Sequence, residues 1–433
     1  MIPGNKGVRL RRVAALALAT AALGAVAVAC GDDDDTADDT NTAAAGSNGD
    51  IAERVTTAQE VCRGDEDPLA AKYSSEQLRE WLRGKQLVTI IESPWGTGDA
   101  TPRGAAGGPW QIGFSNSFAG NDARQDVIRA MRDQTEAYKK AGLVSGLVET
   151  LSDGDVAKHN NQINQLVQQG ADAIIDLSPG KDATTRAIDA AGQAGVPVIT
   201  MDQPAESDYA VNVTTANYLQ SVESAGWMIE QLGGEGTIVT VQGIKGEAGS
   251  EIWEESAACM FDQFPEIEIL ANIYGSWTEP VAKTEMQKVL TTNPGSEIDA
   301  VWVQGPGTTG VIQAFEQTGR PVPKYMTNFG QKAVLAYWRD NLGDVSMYSA
   351  SQPPYESTVE AYQVMIRVLS GQKPILNSVY NLGPPITDET LDQWVAPEDE
   401  WPSSRGFASI EQEVWMPQDL MNEYFSNGEP VLP

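Results

Sequence analysis

The residues able to do chemistry are few in kind. The 433-residue chain holds one histidine, three cysteines, and 60 acidic against 29 basic residues. His159 stands in Lys158-His159-Asn160-Asn161-Gln162, at the start of a predicted helix, where a surface or capping role is expected. One histidine makes any Ser-His or Cys-His relay depend on that residue alone, and it excludes sites built from several histidines. No Walker A loop is present. Carboxylate pairs are too plentiful for any one to point to acid–base catalysis, and the Asp32–Asp35 run has no fold around it to hold a metal. No catalytic residue, metal or cofactor is expected.

What the sequence offers instead is polar and aromatic side chains just past short apolar runs. Gln111–Phe114 runs into Ser115, Asn116, Ser117, Phe118, Asn121 and Arg124. The run at 196–201 leads to Asp202 and Gln203, and that at 237–241 leads to Gln242 and on to Trp253. Gln304 and Asn328 end two further runs, and the run at 345–350 leads to Ser351 and Gln352. Amides, carboxylates, hydroxyls and indoles are what a cleft needs to pair many ligand hydroxyls and to stack on a ring face. Taken singly, each is more often a turn or cap residue.

Gly305-Pro306-Gly307-Thr308-Thr309-Gly310 is a literal G-x-G-x-x-G between a strand and a helix, the context of a dinucleotide site. It lies late in the chain, the next strand ends Tyr325-Met326-Thr327-Asn328 without an acid, and Pro306 removes a backbone donor. The glycines are read as letting a strand-to-helix loop approach a ligand, at the carboxyl ends of the strands where open α/β sheets bind.

The elements that must position these residues alternate regularly. Strands are predicted near 111–114, 147–151, 173–177, 196–201, 237–241, 267–274, 299–304, 324–328 and 345–350, with helices of about ten to fifteen residues between them. Such alternation means βαβ units and parallel sheets covered on both faces. The strands exceed one usual sheet, so the fold class is α/β with two doubly wound parallel-sheet lobes. Before them, Ile51, Val55, Ala58 and Val61 recur at helical spacing, Ser74-Ser75-Glu76-Gln77 could cap a second helix, Leu87–Ile91 is strand-like, and Gly96–Gly108 reads as a linker. After Gly383 repeated prolines suggest a wrapping tail with short helices at 387–394 and 417–425.

Residues 1–29, with Lys6, Arg9, Arg11 and Arg12 before the apolar run Val13–Ala29, read as an export signal, an uncleaved anchor being the alternative. Ala27-Val28-Ala29-Cys30 resembles a bacterial lipobox, which makes Cys30 a lipidation site and residues 30–50, acidic and poor in apolar side chains, a solvated tether. Cys62 and Cys259 remain, in a compartment that permits disulfides; a bridge between them and two buried thiols are both open. A formal net charge of −31 opposes approach to nucleic acid or anionic headgroups.

A family resemblance is carried by Ile112-Gly113-Phe114-Ser115-Asn116, by Asn161–Leu166 leading to Gly170–Ile175, and by Ala194–Asp202. Val241-Gln242-Gly243, Trp277 with Met286–Leu290, and Ser349-Ala350-Ser351-Gln352-Pro353 continue it. Over about 109–382 the chain resembles periplasmic sugar-binding proteins of the ribose- and galactofuranose-binding type, whose two-lobed fold is shared by lac-repressor-type regulators. The resemblance implies ligand contacts at Ser115, Asn116, Phe118 and Arg124 in the first loop, at Asp202 and Gln203 after the fourth strand, and at Trp277, Asn328 and Gln352. Trp253 and Gln304 are added as cleft candidates. Two arginines of the family pattern are absent: Gln203 follows Asp202, and the second-lobe region reads Trp253-Glu254-Glu255-Ser256. Losing two bidentate donors implies a ligand other than ribose.

The resemblance further implies a three-strand hinge, with a first lobe of 109–213 and 353–378 and a second of 214–351 and 379–383. Residues 51–108 form an extension and 384–433 a tail. The expected function is an extracytoplasmic lipoprotein that captures a small polar ligand, a sugar, and delivers it as a monomer to an ABC permease. A sensing module for a membrane receptor and an exported enzyme are the alternatives; a DNA-binding regulator is not expected, because the chain opens on an export signal and shows no helix-turn-helix.

Overall fold

The computed structural model describes residues 47–63, 90–180, 182–246, 248–381 and 383–426. The lipidation site Cys30, the acidic run, the second N-terminal helix and most of the strand at 87–91 lie outside them. A first helix, α1 (Ser47–Arg63), precedes two parallel sheets.

The first sheet contains β1 (Trp110–Asn116), β2 (Val144–Leu151), β3 (Ala173–Leu177), β4 (Val198–Met201), β5 (Ala210–Thr215) and β11 (Ser378–Asn381), in the order β11-β5-β4-β3-β1-β2. Runs such as Ala173–Leu177 are buried along their whole length, as expected for strands covered on both faces. The covering helices are α2 (Asp122–Lys140), α3 (Val156–Gln168), α4 (Thr185–Gln193) and, returning later, α10 (Pro354–Leu369). Asn121 and Asp155 cap α2 and α3 by accepting from the backbone N–H of Arg124 and Lys158.

The second sheet, ordered β10-β9-β8-β6-β7, contains β6 (Gly236–Gln242), β7 (Ile267–Tyr274), β8 (Ala300–Val303), β9 (Tyr325–Asn328) and β10 (Ser346–Ser349). Its helices are α5 (Asn217–Leu232), α6 (Ala248–Asp262), α7 (Glu279–Thr292), α8 (Thr308–Thr318) and α9 (Lys332–Asp340). Separate apolar cores fill the lobes, one around Ile112, Phe114, Ile175 and Tyr362, others around Val241, Val303 and Trp338 and around Met228, Phe264 and Trp302.

Three expectations are corrected. β11 pairs with β5 from Ser378↔Asn212 to Asn381↔Thr215, so Val379–Asn381, and likewise Thr214–Thr215, belong to the first sheet and not the second lobe. The return to the second lobe comes after β11, where Ile386 bridges Ser349. Val61 faces solvent, because the buried stripe of α1 runs Ile51, Val55, Ala58, Cys62. It packs on α5 and α6 of the second lobe, where Cys62 is disulfide-bonded to Cys259. The segment 96–108 is docked rather than a free linker: its neighbour Trp95 is buried in the first core, Gly96 sits against the Pro374 backbone, and Arg103 donates to the carbonyls of Val167 and Ala171.

The tail holds a short 3-10 turn at Leu391–Gln393 and helices Gln412–Trp415 and Gln418–Glu423. It does wrap. Ile386, Leu391, Trp394 and Ala408 enter the second-lobe core, whereas Trp415, Met416, Met421 and Tyr424 enter the first. Asp388 accepts from the indole N–H of Trp338, pinning its start. The tail is therefore a further crossing between lobes, beyond those after β5, β10 and β11.

Candidate ligand-binding cleft

The carboxyl ends of both sheets face one cleft, which encloses a cavity of about 170 Å³. A single water needs only ~10–15 Å³ on this measure, so the space suits a small molecule.

One wall is built by the loop after β4 and the first turn of α2. Asp202 sits there with a left-handed φ of 68°, and its Oδ2 lies 3.2 Å from Arg124 Nη1. Asn121 and Gln203 complete this wall. At the crossing after β10, Gln352 donates through Nε2 to Asn217 Oδ1 (2.7 Å) and Gln220 Oε1 (2.6 Å). These bonds join two crossings, and Gln352 still lines the cavity.

Trp277 lies on the opposite wall in a seat made by glycines. A Cβ on Gly243 would fall 2.3 Å from Trp277 Nε1, and one on Gly305 would fall 2.4 Å from its Cδ1. Trp277 itself has φ 52° and Gly305 φ 74°, both left-handed. The third glycine of the G-x-G-x-x-G, Gly310, lets α8 approach α7, since a Cβ there would meet the Glu279 carbonyl at 2.1 Å. The glycines thus seat an indole and allow a helix crossing.

Gln304 also borders the cavity, but its amide is engaged: Oε1 accepts from Gly243 N and Ser250 Oγ, and Nε2 donates to the Ser250 carbonyl. Trp253 lines the cavity while packing on Phe329 (5.1 Å between centroids) and Trp302 (6.0 Å).

Four of the candidate residues do not border the cavity. Ser115 is buried with its Oγ 3.0 Å from His159 Nε2. Asn116 Oδ1 accepts from Phe118 N, and Phe118 projects outward, 46% exposed. Asn328 Oδ1 accepts from Gly330 N, closing the loop that presents Phe329 instead.

His159 is not a surface residue. It is fully buried, with Asp176 Oδ1 2.7 Å from Nε2 and Ser152 Oγ 3.1 Å from Nδ1, and Asp155 caps the helix in its place. Ser115 and Asp176 address the same ring nitrogen, so the trio lacks the relay geometry in which the acid orients one nitrogen and the other activates the serine.

Sequence reasoning missed Glu360 on α10 and the tail residues Phe407 and Trp415, all of which line the cavity. Residues 405–408 bridge the two lobes beside it. Gly406 N donates to Asp122 and Phe407 N to Asp126 on α2, whereas Ala408 N donates to the Gly330 carbonyl and Arg405 pairs with Glu279. Burial raises the Asp126 carboxyl above its usual range.

Comparison with known proteins matches residues 112–373 to the periplasmic binding protein domain. The chain is 27% identical over 191 residues to the xylitol-binding protein of Mycolicibacterium smegmatis, covering 44% of this chain and 54% of that protein. It is 27% identical over 144 residues to a D-apiose import binding protein of Actinobacillus succinogenes, covering 33% and 46%. The chain thus spans about half the length of these curated relatives. An ABC transporter solute-binding protein from Thermobispora bispora superposes with a TM-score of 0.60 at 23% identity, over 75% of this chain and 98% of that one. With two all-parallel α/β lobes around a cleft and a domain match over more than half its length, the chain belongs to the periplasmic binding protein family.

Proposed function

We propose that the chain is the extracytoplasmic receptor of an ABC importer, which captures a small neutral sugar or polyol by lobe closure and passes it to a membrane permease. The observation that carries this reading is the cleft itself: an indole on one wall, a charged pair on the other, and amides at the crossings. Stacking from one lobe and hydrogen bonds from the other reward only a closed state, so a ligand touching both shifts the equilibrium toward closure. The names of the relatives, a xylitol binder and an apiose importer component, supply the ligand class. In the same reading residues 1–29 are a cleaved leader, Cys30 carries the lipid, 30–50 is a tether, and the receptor acts as a monomer. Asp202, Gln203, Arg124, Trp253, Trp277 and Gln352 would touch the ligand.

A thermal-shift screen of the protein from residue 31 against pentoses, hexoses, polyols, sugar acids and amino acids tests it. A ligand at a hundred times its Kd adds about 2.7 kcal/mol. Stabilisation by a sugar or polyol recovered unchanged by mass spectrometry supports the reading. Stabilisation only by amino acids, or conversion of the ligand, overturns it.

A further inference from the structure

Glu360 faces the cavity from α10, one turn past Ser357, and is 2% exposed. Its Oε2 accepts two N–H bonds, from Asn381 Nδ2 (3.3 Å) at the end of β11 and from Trp415 Nε1 (3.0 Å) in the tail. Its Oε1 is buried and has no partner in the protein. A buried polar atom without a partner is rare, because it forfeits hydration for nothing, and such atoms ask for an explanation. Here the orphan belongs to a residue lining the ligand cavity, held by three separate segments of chain.

We propose that Glu360 is a specificity-determining residue, offering Oε1 to one hydroxyl of a neutral polyhydroxylated ligand in the cleft. This rests on the sugar or polyol reading above and adds to it the group that selects among such ligands. Both N–H donors point at Oε2, so a proton on the carboxyl belongs on Oε1, where it meets no competing donor. Burial pushes the carboxyl up to about 8, which keeps that proton at neutral pH. Arg124 and Asp202 then cancel within the cleft, and a neutral ligand leaves no unpaired charge behind. A hydroxyl can accept from the Oε1 proton; a ligand lacking that oxygen leaves Oε1 orphaned, which is the strong form of discrimination open to a binding site.

The test is isothermal titration of the full chain with xylitol, D-ribose and D-apiose, and with each monodeoxy analogue of whichever binds. One analogue is expected to bind the wild type about 10–100-fold more weakly than its parent, the range for a hydrogen bond to a buried partner. In Glu360→Ala the parent should weaken by a similar factor and that analogue should bind as well as the parent, with the other analogues keeping their wild-type ratios. Glu360→Gln, whose oxygen can accept both N–H donors while its NH₂ faces the ligand, should restore the discrimination. Glu360→Met, filling the same volume without a polar atom, carries the test if the alanine variant does not fold. Equal weakening of the parent and every analogue overturns the inference but leaves the receptor reading standing. Absence of binding by these three probes and by every sugar and polyol of the thermal-shift screen overturns both.

Discussion

Arg124 and Asp202, brought to 3.2 Å by the first turn of α2 and the loop after β4, form a charged pair on one wall of the cleft. Asp202 is half in solvent, its side chain 47% exposed, so the pair contributes little to folding, about 0–1 kcal/mol. In the proposed receptor its value lies in presenting oriented donors and acceptors to the ligand. Asp202→Asn preserves shape, and asparagine tolerates the left-handed φ of 68°. We expect the melting temperature of the ligand-free protein to move by no more than about 2 °C, while affinity for the bound sugar or polyol falls about tenfold or more by titration calorimetry.

The Trp277 seat gives a sharper result, because it is steric. At Gly243 an added methyl would lie 2.3 Å from the indole nitrogen and 2.5 Å from Gln304 Oε1. Something must shift, and Gln304 is held by Ser250, so the indole is the group that gives. Gly243→Ala should weaken ligand binding at least tenfold and alter the ligand-induced change in tryptophan fluorescence. Unchanged affinity would mean that the indole does not touch the ligand.

How much of this was legible in the sequence depends on where each side chain finds its partners. The αβ alternation follows from local apolar runs, and nine strands were readable from it. β5 and β11 were not, because buried polar groups interrupt their apolar pattern: Asn212 accepts from Thr200 Oγ1 at 2.6 Å and from Ala205 N, and Asn381 bonds Glu360 and the Trp415 carbonyl. His159, in the first turn of its helix as expected, was read as a surface or capping residue because its partners are distant in sequence: Ser115, Ser152 and Asp176 reach it from three strand ends. Asp202, Trp277 and Gln352 were found because they follow strands or match a family pattern. Phe407 and Trp415 come from a tail without periodicity, and nothing local marks them as cleft residues.

The Cys62–Cys259 bridge ties α1 to α6 across a sequence separation of 197. A cross-link over so long a loop restricts the unfolded chain strongly, by about 3–5 kcal/mol. None of the described α1 side chains lines the cavity. Cys62→Ser with Cys259→Ser should therefore lower the melting temperature by several degrees while leaving ligand affinity within about threefold. A large loss of affinity would instead show that α1 governs lobe closure.

If Cys30 carries the lipid, the Cys30→Ser protein should move from the membrane fraction to the soluble one on fractionation. Persistence in the membrane fraction would point to the uncleaved apolar run 13–29 as the anchor.

Glu360 also makes stability depend on pH. Its carboxyl, ordinarily near 4.5, is pushed up to about 8 by burial, against the lowering effect of the Asn381 and Trp415 hydrogen bonds. Between those values the native chain keeps a proton that the unfolded chain has lost. Stability is therefore full below about pH 4.5 as far as this group is concerned, declines as pH rises through 8, and levels off above. Glu356, one turn earlier on α10, and Asp126 on α2 are also raised by burial and act in the same direction. The contribution from Glu360 is on the order of a few kcal/mol. Denaturant midpoints of the ligand-free protein should fall between pH 5 and 8, and Glu360→Gln, which has no proton to lose, should flatten most of that slope. A slope that survives the substitution unchanged would assign it to Glu356 and Asp126 and place the Glu360 carboxyl near its ordinary value.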